Sequence, residues 1–310
     1  MVNAVLLCPG QGAQRVGMGK DLADRFGAAR DVFRAVDEAL DLELSRLMWE
    51  GPEEELTLTH HAQPAILTHT LAVYAVMRDR LTPVAAAGHS LGEYSAYAVA
   101  GSLGLAEAAR LVRRRGQLML EAGERRPGAM AAVLGLATEA VVRCCQEAST
   151  SERTVVAANI NAPDQTVVSG DPQAVDAAGV LCKAAGARRV LPLKVSGAFH
   201  SPLMQPAADG LFSVLRDVPF RDPAFPVIAN VNGQPVRNTA AAVDLLGRQL
   251  TQPVRWVDCM RGAAGLAPDA TFVEVGPGNV LTGLVKRIVP QARAMAIGSA
   301  EEMNRFLEAA

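Results

Sequence analysis

The sequence predicts an α/β fold with a mainly parallel sheet and a smaller ferredoxin-like domain inserted into it, and three observations carry that prediction. An apolar run at Val5 to Cys8 is followed by helical patterns. A second run, Pro83 to Ala87, leads directly into Gly88-His89-Ser90-Leu91-Gly92 and another helical segment. Between Gly128 and Ser196 the texture changes to a β-α-β-β-α-β succession, which is the ferredoxin-like arrangement. Strands that alternate with helices imply a parallel sheet covered on both faces.

Taken in order, Val5 to Cys8 is a first strand closed by the turn Pro9-Gly10-Gln11-Gly12. The segment before it has no basic region or small-residue cleavage site, so the N-terminus reads as strand and not as a leader. Gln63 to Arg80 has the pattern of one long amphipathic helix, and Leu91 to Ala100 and Leu105 to Glu121 are further helices. Within the insertion, strands are expected at Met130 to Leu134, Thr154 to Ile160, Thr166 to Ser169 and Arg189 to Lys194, with helices at Thr138 to Glu147 and Pro172 to Ala185. The larger domain resumes with strands at Val227 to Asn230 and Thr271 to Val275. The expected boundaries are therefore residues 1–127 and 197–310 for the large domain and 128–196 for the small one. No tandem repeat of fixed period interrupts this order.

Composition excludes several classes. The chain has 310 residues, 50% of them hydrophobic and 20% charged, with a net charge of −2, which argues against long disorder and against a basic nucleic-acid-binding surface. No apolar run approaches the ~20 residues needed to span a bilayer, so a cytoplasmic protein with no membrane contact is expected. The five cysteines are odd in number and lack Cys-x-x-Cys spacing, so they read as reduced packing residues. Cys144 and Cys145 point about 100° apart on a helix and should not pair. His60, His61 and His69 have no metal-ligand spacing with the cysteines, and no metal is expected. Nothing demands more than a monomer.

The chemistry centres on Ser90. Gly-x-Ser-x-Gly between a strand and a helix is the context of a nucleophile elbow, where glycines permit a sharp reversal and free N–H groups of the next helix can bind an oxyanion. The bland alternative is a glycine-closed turn. A serine hydroxyl needs a base, and histidine is the usual one near neutral pH. His89 adjoins Ser90 in the tight turn and should point away. His200, in Ser196-Gly197-Ala198-Phe199-His200-Ser201-Pro202 at the domain junction, is the candidate base, against the alternative of a surface or structural histidine. Arg115 falls on a helical stripe with Ala108, Leu111, Val112 and Met119. A cation there needs an anion, which is either a structural carboxylate or the carboxylate of a bound acyl group. Gln11 follows a strand, as a second oxyanion donor does. Gly10-Gln11-Gly12 and Gly17-Met18-Gly19-Lys20-Asp21 both fail the nucleotide-loop patterns.

In their order along nearly the whole chain, Pro9-Gly10-Gln11-Gly12, Thr59 to Ala65, Gly88 to Tyr94, Arg115-Gly116, Gly197 to Ser201 and Pro253 to Trp256 resemble malonyl-CoA:acyl-carrier-protein transacylases and the related acyltransferase domains of polyketide and fatty-acid synthases. The resemblance implies a hydrolase-like large domain and ping-pong transfer of malonyl from malonyl-CoA to an acyl carrier protein, with malonyl-CoA a substrate and no cofactor. It implies that Ser90 is the nucleophile and His200 the base. Gln11 and the Leu91 N–H would form the oxyanion hole, and Arg115 would clamp the malonyl carboxylate. It places Gln252 at a position whose backbone carbonyl orients the histidine, and Gln63 and Asn161 along the site. Phe199 and Leu91 resemble the malonyl-selective pattern. Arg188 and Arg189 could meet an acidic carrier protein or could be a solvated strand edge. The alternatives are a serine esterase or thioesterase, a malonate-decarboxylase acyltransferase subunit, and a catalytically silent docking subunit.

Overall fold

The computed structural model describes residues 1–195 and 197–309. Ser196, at the expected end of the small domain, and Ala310 lie outside the described residues. Among the described residues, ten strands form two sheets: β1 (Val2–Cys8), β2 (Leu81–Gly88), β3 (Ala129–Leu134), β4 (Val155–Ala162), β5 (Gln165–Gly170), β6 (Arg189–Pro192), β7 (Val227–Ile228), β8 (Pro235–Val236), β9 (Thr271–Val275) and β10 (Ala294–Ile297). The larger sheet has the order β10-β9-β1-β2-β7-β8 and is parallel except at the β7–β8 edge. The expected fold class is the one observed.

The central strand shows why a continuous apolar run was needed. Ala4, Leu6 and Cys8 join one hydrophobic cluster, and Val5 and Leu7 join another on the opposite face. Alternate side chains of a strand point to opposite faces, so a strand covered on both must be apolar throughout. On one face lie the helices Thr59–Met77 and Leu105–Arg125; on the other, Trp256–Leu266 and Val280–Ile288. The register of β1 on β2 shifts between Ala4 and Val5, opposite Pro83, where a proline has no N–H to give the ladder.

The smaller sheet is antiparallel with the order β4-β5-β3-β6. The helices Thr138–Ala148 and Pro172–Ala184 cover one face around Val133, Val141, Cys145, Val168 and Cys182. All five cysteines are buried and free. The other face turns Met130 and Val167 towards the larger unit, where both line a cleft. Main-chain bonds from Val254 N to Ala158 O and from Ile160 N to Val254 O stitch β4 to the larger unit at 2.8 and 2.9 Å.

Two expectations need correction. The helix expected at Gln63 begins at Thr59, carries Pro64 within it, and ends in a 3-10 turn at Arg78–Arg80. It is not amphipathic, because residues 61–73 are buried on every side. Packing on all faces supplies the stability that the proline removes. The strands β8 and β10 were not anticipated; both are edge strands, of two and four residues. Among the described residues, no helix is long and apolar enough to cross a membrane.

Candidate active site

Strand β2 ends at Gly88, and the helix Gly92–Val99 starts after only three residues. Ser90 sits between them at φ 52°, a left-handed conformation that costs a non-glycine residue free energy and persists only when its surroundings enforce it. They do so at close range. A Cβ on Gly88 would lie 1.9 Å from the Gly92 carbonyl, and one on Gly92 would lie 2.0 Å from the Cys8 oxygen. Both glycines are therefore steric requirements of the elbow. The Ser90 N–H donates to Asn230 Oδ1 at 2.8 Å, Asn230 Nδ2 donates to the Gly88 carbonyl at 2.7 Å, and Gln249 Nε2 donates to the Ser90 carbonyl at 3.0 Å.

His200 also has a positive φ, 56°. Its loop is braced by Ser201 Oγ donating to the Ala198 carbonyl at 2.6 Å. The Nε2 atom is 2.7 Å from Ser90 Oγ, and Nδ1 is 2.9 Å from the Gln249 carbonyl and 3.2 Å from that of Gln252. Carbonyls only accept, so Nδ1 carries the proton and Nε2 is free to receive one from the serine. Burial, reinforced by the charge of Arg115, pushes the His200 pKa down to about 3. The imidazole is thus neutral in the resting site. The nearer orienting carbonyl is that of Gln249, beside the expected Gln252.

Arg115 is 1% exposed and makes no ion pair among the described residues. Its Nη1 donates to Gln63 Oε1 at 2.8 Å, and its Nη2 donates to Ser90 Oγ at 3.0 Å and to Gln249 Oε1 at 3.1 Å. Tyr94 lies alongside, its ring centroid 5.4 Å from the guanidinium carbon. Gly116 lets the helix Leu105–Arg125 pack closely on the helix Thr59–Met77, since a Cβ there would be 2.6 Å from the His60 Cα. Of the two readings open for this cation, the structural carboxylate has no representative within contact. The guanidinium is left facing the nucleophile with only neutral partners.

A cleft of about 700 Å³ opens over these groups. Gln11, Ser90, Asn161, Phe199 and His200 all line it. Gln11 Nε2 donates to Thr59 Oγ1 at 3.3 Å. Leu91 is buried at the start of the elbow helix. Neither the Gln11 nor the Leu91 backbone N–H has a partner among the described residues, leaving two donors for an oxyanion. Gln63, behind Arg115, also donates to Met119 Sδ at 3.3 Å. His89 also lines the cleft: its Nε2 donates to Asn161 Oδ1 at 2.8 Å and its ring centroid lies 5.4 Å from that of Trp256, with no bond to Ser90 among the described residues. Arg188 and Arg189 are exposed at the edge strand β6.

Three residues in the site escaped the sequence reading. Asn230 and Gln249 reach Ser90 from 140 and 159 residues away, and neither sits in a motif. Glu93, three residues after Ser90, is 1% exposed; its place directly after the pentapeptide was the one available signal.

A sequence model described as the acyl transferase domain matches residues 5–305. The chain is 43% identical over 311 residues to a Bacillus subtilis protein named malonyl CoA-acyl carrier protein transacylase, covering 99% of this chain and 97% of that one. It is 42% identical over 310 residues to the Escherichia coli K12 protein of the same name, covering 99% and 100%. Among solved structures, an acyl carrier protein S-malonyltransferase from Vibrio cholerae superposes with a TM-score of 0.93 at 40% identity, covering 99% and 100%. A malonyl-transacylase solved in complex with its type II PKS acyl-carrier protein superposes with a TM-score of 0.94, also at 40% identity and the same coverage.

Proposed function

We propose, since the chain belongs to the acyl transferase domain family, that it moves a malonyl group from malonyl-CoA to the thiol of an acyl carrier protein through a malonyl ester on Ser90. The relatives' names and the acyl-carrier-protein complex support the donor and the acceptor. The observation that carries the reading is Arg115: a buried cation with no carboxylate partner, 3.0 Å from the nucleophilic oxygen. A general esterase has no use for a guanidinium at that point. A malonyl group brings a carboxylate into direct contact with it.

His200 Nε2 takes the Ser90 proton as Oγ attacks the thioester carbonyl. The tetrahedral oxyanion is held by the Gln11 and Leu91 N–H groups. Its collapse breaks the carbon–sulfur bond, and His200 returns the proton to the departing coenzyme A thiolate. The carrier-protein thiol then gives its proton to His200, attacks the ester, and leaves malonyl on the carrier and the proton back on Ser90. Gln249 and Gln252 keep Nδ1 protonated throughout. Phe199 and Gln63 shape the acyl end, and Asn161 lines the approach. These steps draw on side chains and backbone of the chain alone, with malonyl-CoA as substrate and no cofactor or metal. The five free, buried cysteines suit a reducing cytoplasm.

Incubating the enzyme with malonyl-CoA, with and without carrier protein, tests this. Intact mass should show one malonyl group on Ser90, stable until carrier protein is added. Rapid coenzyme A release regardless of carrier protein would instead identify a hydrolase.

A further inference from the structure

Glu93 is a buried carboxylate that the transfer steps do not use. It lies in the first turn of the elbow helix, buried and outside the lining of the cleft. Its Oε2 accepts from Gln249 Nε2 at 2.6 Å and from the Asn230 N–H at 3.2 Å, and its Oε1 has no partner among the described residues. The same Gln249 amide presents Oε1 to Arg115 Nη2 at 3.1 Å. Carboxylate, amide and guanidinium thus form one line. A carboxylate that only accepts and a guanidinium that only donates leave the amide a single orientation.

We propose that Glu93 is a positioning residue that acts through the Gln249 amide as the buried counter-charge of Arg115, and that the carboxylate of the acyl group competes with ionised Glu93 for that one cation. This rests on the malonyl-transfer reading above. With the pocket empty, Arg115 is balanced by Glu93 across the amide. When a malonyl carboxylate docks, two buried anions face one cation, and the cheaper state protonates Glu93. The proton comes from solvent: an O–H bond forms on Glu93 as one breaks in the solvent donor, and no bond of the substrate changes.

The surroundings allow Glu93 to titrate in the working range. Burial raises it to about 7, against the opposing pull of its bonds to Gln249 and Asn230 and of Arg115. The other titratable groups facing it are held elsewhere: Tyr94 is pushed up to about 12 by burial, Tyr97 and Cys259 are raised by burial, and His200 is pushed down to about 3. His89, by the elbow, is lowered by burial. The sign follows. Docking an anion favours protonated Glu93, so affinity for the malonyl carboxylate is full below the Glu93 pKa and falls as pH rises through it.

The test is equilibrium binding to the Ser90→Ala enzyme, which cannot be acylated. Malonyl-CoA and free CoA carry the same phosphates, so the ratio of their dissociation constants isolates the malonyl group, whose carboxylate is its one charged part. Between about pH 6 and about pH 8.5 the ratio should rise on the order of tenfold in malonyl-CoA's disfavour. Adding Glu93→Gln should flatten it. A flat ratio in the Ser90→Ala enzyme, or an undiminished rise after Glu93→Gln, overturns the proposal. Should the double variant not fold, calorimetry of the Ser90→Ala enzyme in buffers of different ionisation enthalpy decides. Proton uptake with malonyl-CoA and none with CoA supports the role; equal uptake removes it. Wild-type enzyme that forms no malonyl ester would fail the functional reading itself, whereas normal ester formation with a flat ratio removes only Glu93.

Discussion

The two sides of the reaction centre are held by different means. On the nucleophile side, Ser90 and His200 both take left-handed backbone conformations, and carbonyls, glycine contacts and the Asn230 amide hold them there. On the clamp side, Arg115 projects from a long regular helix and is fixed by the side chains of Gln63 and Gln249, with Glu93 behind. Neutral dipoles suit a group that must gain and lose a proton, because His200 can change charge without leaving a buried anion behind. Formal charges suit the clamp, whose task is to tell acyl groups apart by charge. Gln249 serves both sides, with its backbone oxygen on His200 and its amide between Glu93 and Arg115.

The sharpest break of this contrast is on the nucleophile side. Ser90→Ala should abolish the malonyl-enzyme in intact-mass measurements, and His200→Ala should slow its formation about 10²–10⁴-fold, the usual worth of a positioned base. Arg115→Ala should act on selectivity. Its charge-assisted bonds are each worth about 1.5–3 kcal/mol, so the preference for malonyl over acetyl should fall about 10–100-fold while acetyl still loads. An unchanged preference would show that Arg115 is not the clamp.

The two sides were unequally legible in the sequence. The elbow announces itself because the turn needs glycine at two fixed positions, where a Cβ would come within 1.9 and 2.0 Å of neighbouring backbone atoms. Arg115 was visible because a cation in an apolar stripe of the helix Leu105–Arg125 is an anomaly on any helical wheel. The β-α-β-β-α-β succession was likewise legible from periodicity. What holds these residues was not. Asn230 follows a strand of two residues, and Gln249 is the last residue of the helix Thr239–Gln249. Their functions arise only when the sheet brings them to Ser90. Pro64 stands inside the helix Thr59–Met77, where local chemistry disfavours a proline and burial on all sides holds it.

A smaller effect separates backbone support from chemistry. Asn230 bonds to the Ser90 N–H and the Gly88 carbonyl, is fully buried and does not line the cleft. Asn230→Ala should lower stability by about 1–3 kcal/mol, the cost of unpaired buried polar groups, as a drop in the thermal midpoint. Acylation should slow about tenfold as the elbow loosens, with malonyl preference retained.

The smallest expected change is a flat pH profile, and it follows from the neutrality of the nucleophile side. An unperturbed histidine base would lose activity below about pH 6.5. Burial and Arg115 hold His200 unprotonated down to about 3, so single-turnover acylation at saturating malonyl-CoA should stay level from pH 7.5 to pH 5. The same shift costs stability on the acid side. Because the folded pKa lies below the unfolded one, the unfolded chain takes up the proton first as pH falls. The contribution of His200 is present above about pH 6.5 and is lost progressively towards pH 3. Acylation that stays level while the thermal midpoint declines over that range would match a base held by carbonyls. A sigmoidal loss of acylation centred near pH 6.5 would show that His200 titrates like a solvated histidine and that the backbone carbonyls do not isolate it.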